Sequence, residues 1–259
     1  MTAPIPRDIP DLPAVPGMPA LLASPVPATA VVAPYRRPLT AAYRLLVALV
    51  AAAAVTVDLF LGSPIRVLTY FTIQSNILLA LVMITTARRA WTARRPLSPL
   101  VTGAALLYVT ITGLMYHLIL AHASTPFAMT GGPVSGWQAV TNHVLHTVIP
   151  IAAVVDWLFL TAPGGLHLRM ATSWLLYPMT YLAVYLARGE LILPGTPGRY
   201  LYTFLDVEQH GYKSVLGNAL LLGLAFYALS VLLVAIDHAR PNPIRHRAKT
   251  GFRLQPPVG

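Results

Sequence analysis

Six apolar stretches, at about 41–62, 66–88, 98–121, 137–161, 168–187 and 213–236, decide what this chain can become. Each is long enough for the roughly 20 residues a helix needs to cross a bilayer. Hydrocarbon supplies no hydrogen-bond partners, so a single spanning segment must satisfy its own backbone, and it does so as a helix. The expected fold is all-α: an integral membrane bundle of six transmembrane helices. Composition agrees. Of the 259 residues only 10% are charged and 56% are hydrophobic, where a soluble domain carries about a quarter charged residues. Cysteine is absent, which excludes thiolate metal sites and cysteine nucleophiles.

Basic residues set the orientation. Arg7, Arg36 and Arg37 precede the first span, and Arg88, Arg89, Arg94 and Arg95 follow the second. Arg169 opens the fifth, and Arg240, Arg245, Arg247, Lys249 and Arg253 follow the sixth; Arg44, just inside the first, joins them. Only Arg66, Arg188, Arg199 and Lys213 fall on the other side. Cytoplasmic loops carry the excess of Lys and Arg, so both the N and C termini are expected to be cytoplasmic. The net charge of +10 then reflects topology and attraction to anionic headgroups rather than nucleic-acid binding. Residues 1–39 hold ten prolines, through which no helix can run. They read as a disordered Pro-rich cytoplasmic tail, followed by a six-helix transmembrane domain over 40–237 and a basic cytoplasmic tail over 238–259.

Polar groups inside hydrocarbon are costly and mark candidate functional sites. The run Asn142-His143-Val144-Leu145-His146-Thr147 leads into Pro150, and Thr72-Ile73-Gln74-Ser75-Asn76 lies in the second span. With the orientation above, both spans descend from the outside. Thr69, Thr72 and Asn76 then form a stripe at i, i+3 and i+7 with Ser75 beside Thr72, and Asn142 and His146 share a face at i, i+4. At 1.5 Å per residue, Thr72 lies roughly 9 Å and His146 roughly 14 Å below its helix start, depths that the spread of helix ends makes equivalent. Asp58, His117, Tyr181, Tyr185 and Asn218 also fall toward outer ends. The inner half offers mainly Asp156, with Arg169 or headgroup water as its expected partner.

A hydroxyl and an imidazole on neighbouring helices are the minimum for nucleophilic catalysis, and an Asn or Gln nearby could donate to a developing oxyanion. G-x-S-x-G, H-E-x-x-H and glycine-rich phosphate loops are absent. Threonine is therefore the expected nucleophile, with Ser75 second. Asp58, His117, His143 and His146 form an alternative zinc ligand set by residue type. A haem protein is a further alternative, although the inner half has no histidine within a span. A non-catalytic carrier for a small solute or lipid is the remaining class, without the broken, glycine-rich span pairs of a transporter. No cofactor is expected for the hydrolytic reading.

Three blocks, Tyr70-Phe71-Thr72-Ile73-Gln74-Ser75-Asn76, Asn142-His143-x-x-His146-Thr147-x-x-x-Pro150 and Tyr202-Thr203-Phe204-Leu205-Asp206, resemble the androgen-induced-gene family of multi-pass membrane proteins. They look most like its six-span bacterial members, with the same order and placement. Eukaryotic members are threonine hydrolases that cleave fatty acid esters of hydroxy fatty acids with an intramembrane Thr and His. The resemblance implies a lipid-like substrate entering from the bilayer and a bacterial plasma membrane location. It implies Thr72 as nucleophile and His146 as base. Thr69 is the rival, since Leu68-Thr69-Tyr70 fits the same pattern. In that scheme Asn76, Gln74 or Asn142 stabilises the oxyanion, His143 orients the site, and Asp206 with the last outer loop gates it.

Overall fold

The computed structural model describes residues 35–119 and 136–241; most of the proline-rich segment 1–39, the loop 122–136 except its last residue, and the tail beyond 241 lie outside them. Among the described residues every regular element is helical. These are α1 (Pro38–Leu61), α2 (Pro64–Thr69), α3 (Phe71–Trp91), α4 (Pro99–Leu118), α5 (Gly136–Leu160), α6 (Leu168–Trp174), α7 (Leu176–Leu191) and α8 (Val207–Ala239). A 3-10 turn, Thr203–Leu205, precedes α8. Proline occupies the first turn of α1, α2 and α4, where its missing amide hydrogen would have had no intrahelical partner.

Helices α1, α3, α4, α5 and α8 are each long and apolar enough to cross a membrane. The stretch 168–187 differs from a single helix. It is divided at Leu175 into α6 and α7, of 7 and 16 residues. Pro178 explains the interruption, because its ring nitrogen cannot donate to the Trp174 carbonyl one turn back. The Tyr108 hydroxyl donates to that carbonyl instead, at 2.9 Å. Leu175 keeps helical torsions (φ −71°, ψ −18°), so the ladder is interrupted without turning the chain.

The core begins with α1 against α3. Residues 41, 44, 48, 51, 55 and 58 recur every three or four positions and are all buried, and Ala48 and Ala51 have no exposed surface. Small side chains let two membrane helices approach closely. The pair is antiparallel: the Arg37 amide donates to the Ala90 carbonyl at 2.9 Å, joining the start of α1 to the end of α3. Leu79, Met83, Leu107, Ile149, Trp157 and Trp174 continue the same cluster. A second cluster packs Tyr70, Ile73, Leu145, Tyr185, Tyr202 and Val215 at the other end of the bundle, the Thr72 end.

Asp156 is satisfied by a partner the sequence did not suggest. Arg44 of α1, not Arg169, meets it with Nε–Oδ1 at 2.7 Å and Nη2–Oδ2 at 3.1 Å, and both side chains are 8% exposed. Arg44 also donates to the Thr161 hydroxyl at 3.1 Å. Nearby, Asp237 of α8 accepts from the Leu166 amide, Trp157 Nε1 and Arg240. Much of α8 otherwise presents leucine outward, including Leu216, Leu220, Leu221 and Leu224. An apolar patch of that extent would be a liability in water and is matched to hydrocarbon. Gly211 interrupts α8 with φ 69°, a left-handed torsion that suits glycine and separates the first turn from the long apolar part.

Candidate active site

Thr72 and His146 meet. Thr72 Oγ1 lies 3.1 Å from His146 Nε2, and both residues are buried, at 4% and 1% exposure. The other ring nitrogen, Nδ1, is 2.9 Å from the backbone carbonyl of Asn142. A carbonyl only accepts, so Nδ1 carries the proton and Nε2 is left as the acceptor facing the hydroxyl. Tyr116 of α4 stacks on the imidazole with ring centroids 4.6 Å apart and planes at 29°, fixing its plane.

The backbone around His146 is the reason it reaches Thr72. Residues Val144–Val148 form a π-helical stretch, in which the Ile149 amide donates to Val144, five residues back. Pro150 supplies the cause: it has no amide hydrogen and its ring crowds the carbonyl at 146, so the ladder widens. The Leu145 carbonyl then has no donor from Ile149 or Pro150. Asn76 Nδ2 of α3 approaches it at 3.5 Å and donates to the Thr72 carbonyl at 2.9 Å. On the opposite side Gly113 allows α4 to come close, since a Cβ there would lie 3.1 Å from both the His146 carbonyl oxygen and Pro150 Cβ.

Thr72 is the second residue of α3, not the middle of a longer span. Tyr70 is extended (φ −72°, ψ 132°), so α2 and α3 are separate helices. The expected stripe of Thr69, Thr72 and Asn76 is thus broken. The Thr69 hydroxyl donates to Ile65 within α2 at 2.9 Å, and its carbonyl accepts from Tyr181 at 2.9 Å. An uninterrupted helix would have used that carbonyl for the Ile73 amide. Starting the helix at Phe71 instead leaves its first amides without intrahelical acceptors. The Phe71 amide goes to the Tyr202 hydroxyl at 3.2 Å.

Several other expected roles change. Gln74 spends Nε2 on the Leu68 carbonyl and Oε1 on the Tyr177 hydroxyl. Asn142 directs Nδ2 to the Tyr116 hydroxyl at 2.8 Å, and it is its backbone that holds His146. Asn76 turns its amide nitrogen to backbone carbonyls. None of these three side chains offers a donor beside the Thr72 hydroxyl. His143 is exposed, because one position along a helix is about 100° of rotation; it does not orient His146. Ser75 is fully buried and its hydroxyl has no hydrogen-bond partner among the described residues, so no base accompanies it. Asp206 caps α8, accepting from the amides of Glu208 and Gln209 at 2.9 and 3.2 Å.

The proposed zinc set does not converge. Asp58 takes the Thr141 hydroxyl, His117 faces Thr147 at 3.0 Å, and His146 faces Thr72. Among the described residues no three His, Asp or Glu side chains gather closely enough to hold an ion.

Thr72 lies on the wall of a cavity of about 450 Å³ between α3, α4, α7 and α8, while His146 sits behind it. Phe71, Met115, Tyr181, Tyr202, Phe204 and Phe226 are among the apolar and aromatic residues that line it. The loop before α8 forms part of this wall and is tied down: the Tyr185 hydroxyl accepts the amides of Leu201 at 2.6 Å and Tyr202 at 3.0 Å. Asn218 holds the Phe204 carbonyl at 2.9 Å. Nothing in the residue pattern singled out Tyr116, which looked like any aromatic residue near a helix end. Tyr202 was visible only as part of the third block. No protein-family model, curated protein or solved structure matches the chain.

Proposed function

We propose that the protein is a membrane hydrolase that cleaves a lipid ester of the fatty-acyl type. The observation that carries this reading is the Thr72–His146 contact with Nδ1 held by the Asn142 carbonyl, set beside an apolar cavity. A cavity of about 450 Å³ falls within the roughly 300–1,000 Å³ of small-molecule sites, and its walls suit an acyl chain. In the reaction, Thr72 Oγ attacks the acyl carbon as its proton passes to His146 Nε2. The Asn142 carbonyl stabilises the imidazolium through Nδ1–H. The oxyanion is met by the first-turn amides of α3 at Thr72 and Ile73, at the positive end of the helix dipole. His146 then returns the proton to the departing alkoxide oxygen, and water hydrolyses the Thr72 acyl ester by the reverse sequence.

The same reading includes six crossings and cytoplasmic termini in a bacterial plasma membrane. Its support is connectivity. Helix α5 ends beside Arg44, whereas Tyr181 and Tyr185 of α7 bond residues at the Thr72 end, so α6 and α7 together carry the chain across. Arginines gather at the end where α1 begins and α8 finishes, as the positive-inside rule requires.

Reaction of the purified full chain with a fluorophosphonate probe tests the nucleophile. Labelling is expected in wild type, Thr69→Ala and Ser75→Ala, and lost in Thr72→Ala and His146→Ala. Labelling that persists in Thr72→Ala refutes the assignment. The nearly all-apolar cavity favours one other reading, a non-catalytic lipid-binding protein; stoichiometric lipid retention without turnover of any fatty-acyl ester would establish it.

A further inference from the structure

We infer a second ligand site at the opposite end of the bundle, one that binds the net-anionic phosphate head of a membrane lipid. A cavity of about 470 Å³ lies there between α1, α3, α4 and α5 and the turn that follows α5. It shares no residue with the Thr72 cavity and rests on the membrane reading alone, not on the hydrolytic one.

Its charge is unbalanced in one direction. Two carboxylates line it, Asp156 and Asp237, and each is already neutralised: Asp156 by Arg44 and Asp237 by Arg240. The Leu166 amide and Trp157 Nε1 complete the Asp237 shell. The cations are not used up. Arg37 lines the cavity, and its guanidinium makes no hydrogen bond or ion pair among the described residues. Arg44 is 6% exposed; its Nε and Nη2 serve Asp156, Leu160 and Thr161, while its Nη1 has no partner among the described residues.

Unpaired cationic donors therefore remain among the described residues, and both carboxylates in the lining are already paired. That combination selects a net anion over a zwitterion. Leu79, Met83 and Leu106 form an apolar floor on which the first part of an acyl chain can lie. Arg88 and Arg89 in the last turn of α3 add to the positive field at this end. An arginine-rich face of this kind meets the anionic leaflet.

Native mass spectrometry of the full chain in detergent, titrated with dioleoyl phosphatidylglycerol or dioleoyl phosphatidylcholine, tests the site. One phosphatidylglycerol is expected to be retained in preference to phosphatidylcholine. Arg37→Gln should retain it about fivefold more weakly with an unchanged lipid-free melting temperature. The double variant Arg44→Met with Asp156→Leu should weaken it as well, and Thr72→Ala should leave it as in wild type. Equal retention of the two lipids, or unchanged retention in Arg37→Gln, overturns the site. Displacement of the lipid by millimolar inorganic phosphate overturns the lipid assignment in favour of a free anion.

Discussion

Gly113 is the position where a single methyl group should separate activity from stability. A Cβ built there lies 3.1 Å from the His146 carbonyl oxygen, 3.1 Å from Pro150 Cβ and 3.2 Å from Pro150 Cγ. Comfortable contacts begin a few tenths of an ångström further out, so Gly113→Ala must push α4 and the widened turn of α5 apart by about 0.4 Å. A misplacement of 1 Å costs on the order of 10²-fold in rate; a displacement of about 0.4 Å scales to about sixfold. Overpacking should also lower stability by about 1–3 kcal/mol. Gly103→Ala is the control. Its Cβ would run into the Trp174 ring, a harder clash, but ten residues and about 15 Å away along α4. The assay is the rate of fluorophosphonate labelling well below the melting temperature, beside a thermal melt. Gly113→Ala should label about sixfold more slowly, while Gly103→Ala should melt lower yet label at the wild-type rate. If both variants label alike, the registration of His146 by α4 is refuted.

Two other expectations concern the ends of the bundle. Arg44→Met alone leaves Asp156 buried without its cation and should cost about 3–5 kcal/mol, whereas adding Asp156→Leu should recover most of that loss; additive single-variant effects in detergent melts would refute the coupling. At the other end, Glu190 accepts from the hydroxyls of Tyr212 and Tyr200, and these bonds, with Arg199 nearby, hold its carboxyl below the usual range. A depressed native value means its contribution is complete above the unfolded carboxylate range, near about pH 4.3, and is lost as pH falls through the native value. Hydrogen exchange of residues 195–206 should therefore be slow at pH 7 and accelerate below about pH 4 after correction for intrinsic rates. Identical protection at both pH values would show that Glu190 does not anchor the loop.

What the sequence made legible is the part governed by local physics. Apolar length and proline placement gave the long helices, and the i, i+4 spacing of Asn142 and His146 put them on one face. Depth counting brought Thr72 and His146 level. The rest depended on partners that pattern cannot reveal. The break at Tyr70 leaves no Gly or Pro at its position; it exists because Tyr181 claims the Thr69 carbonyl and Tyr202 the Phe71 amide. The amide side chains of Gln74, Asn76 and Asn142 were expected to face the reaction, yet each is drawn to a neighbour, two of them to carbonyls released by irregular backbone. Arg44 rather than Arg169 reached Asp156 because antiparallel packing sets the start of α1 beside the end of α5. Pro150 was visible throughout, but a proline announces a disturbance of the ladder without saying whether the helix will kink, stop or widen.

The widened turn at Val144–Val148 has a genetic corollary. A π stretch houses one more residue than an α-helix spanning the same rise. Deleting one codon in this window, for instance that of Val148, would remove the extra residue that the widened turn houses, although the proline would still withhold its amide hydrogen. Everything on its N-terminal side would then turn by about 100° and shift by about 1.5 Å, carrying the imidazole away from the hydroxyl. A relative one residue shorter here could keep every motif letter and still have lost the pairing. Gap placement, more than identity at 146, decides which versions of this helix can do the chemistry.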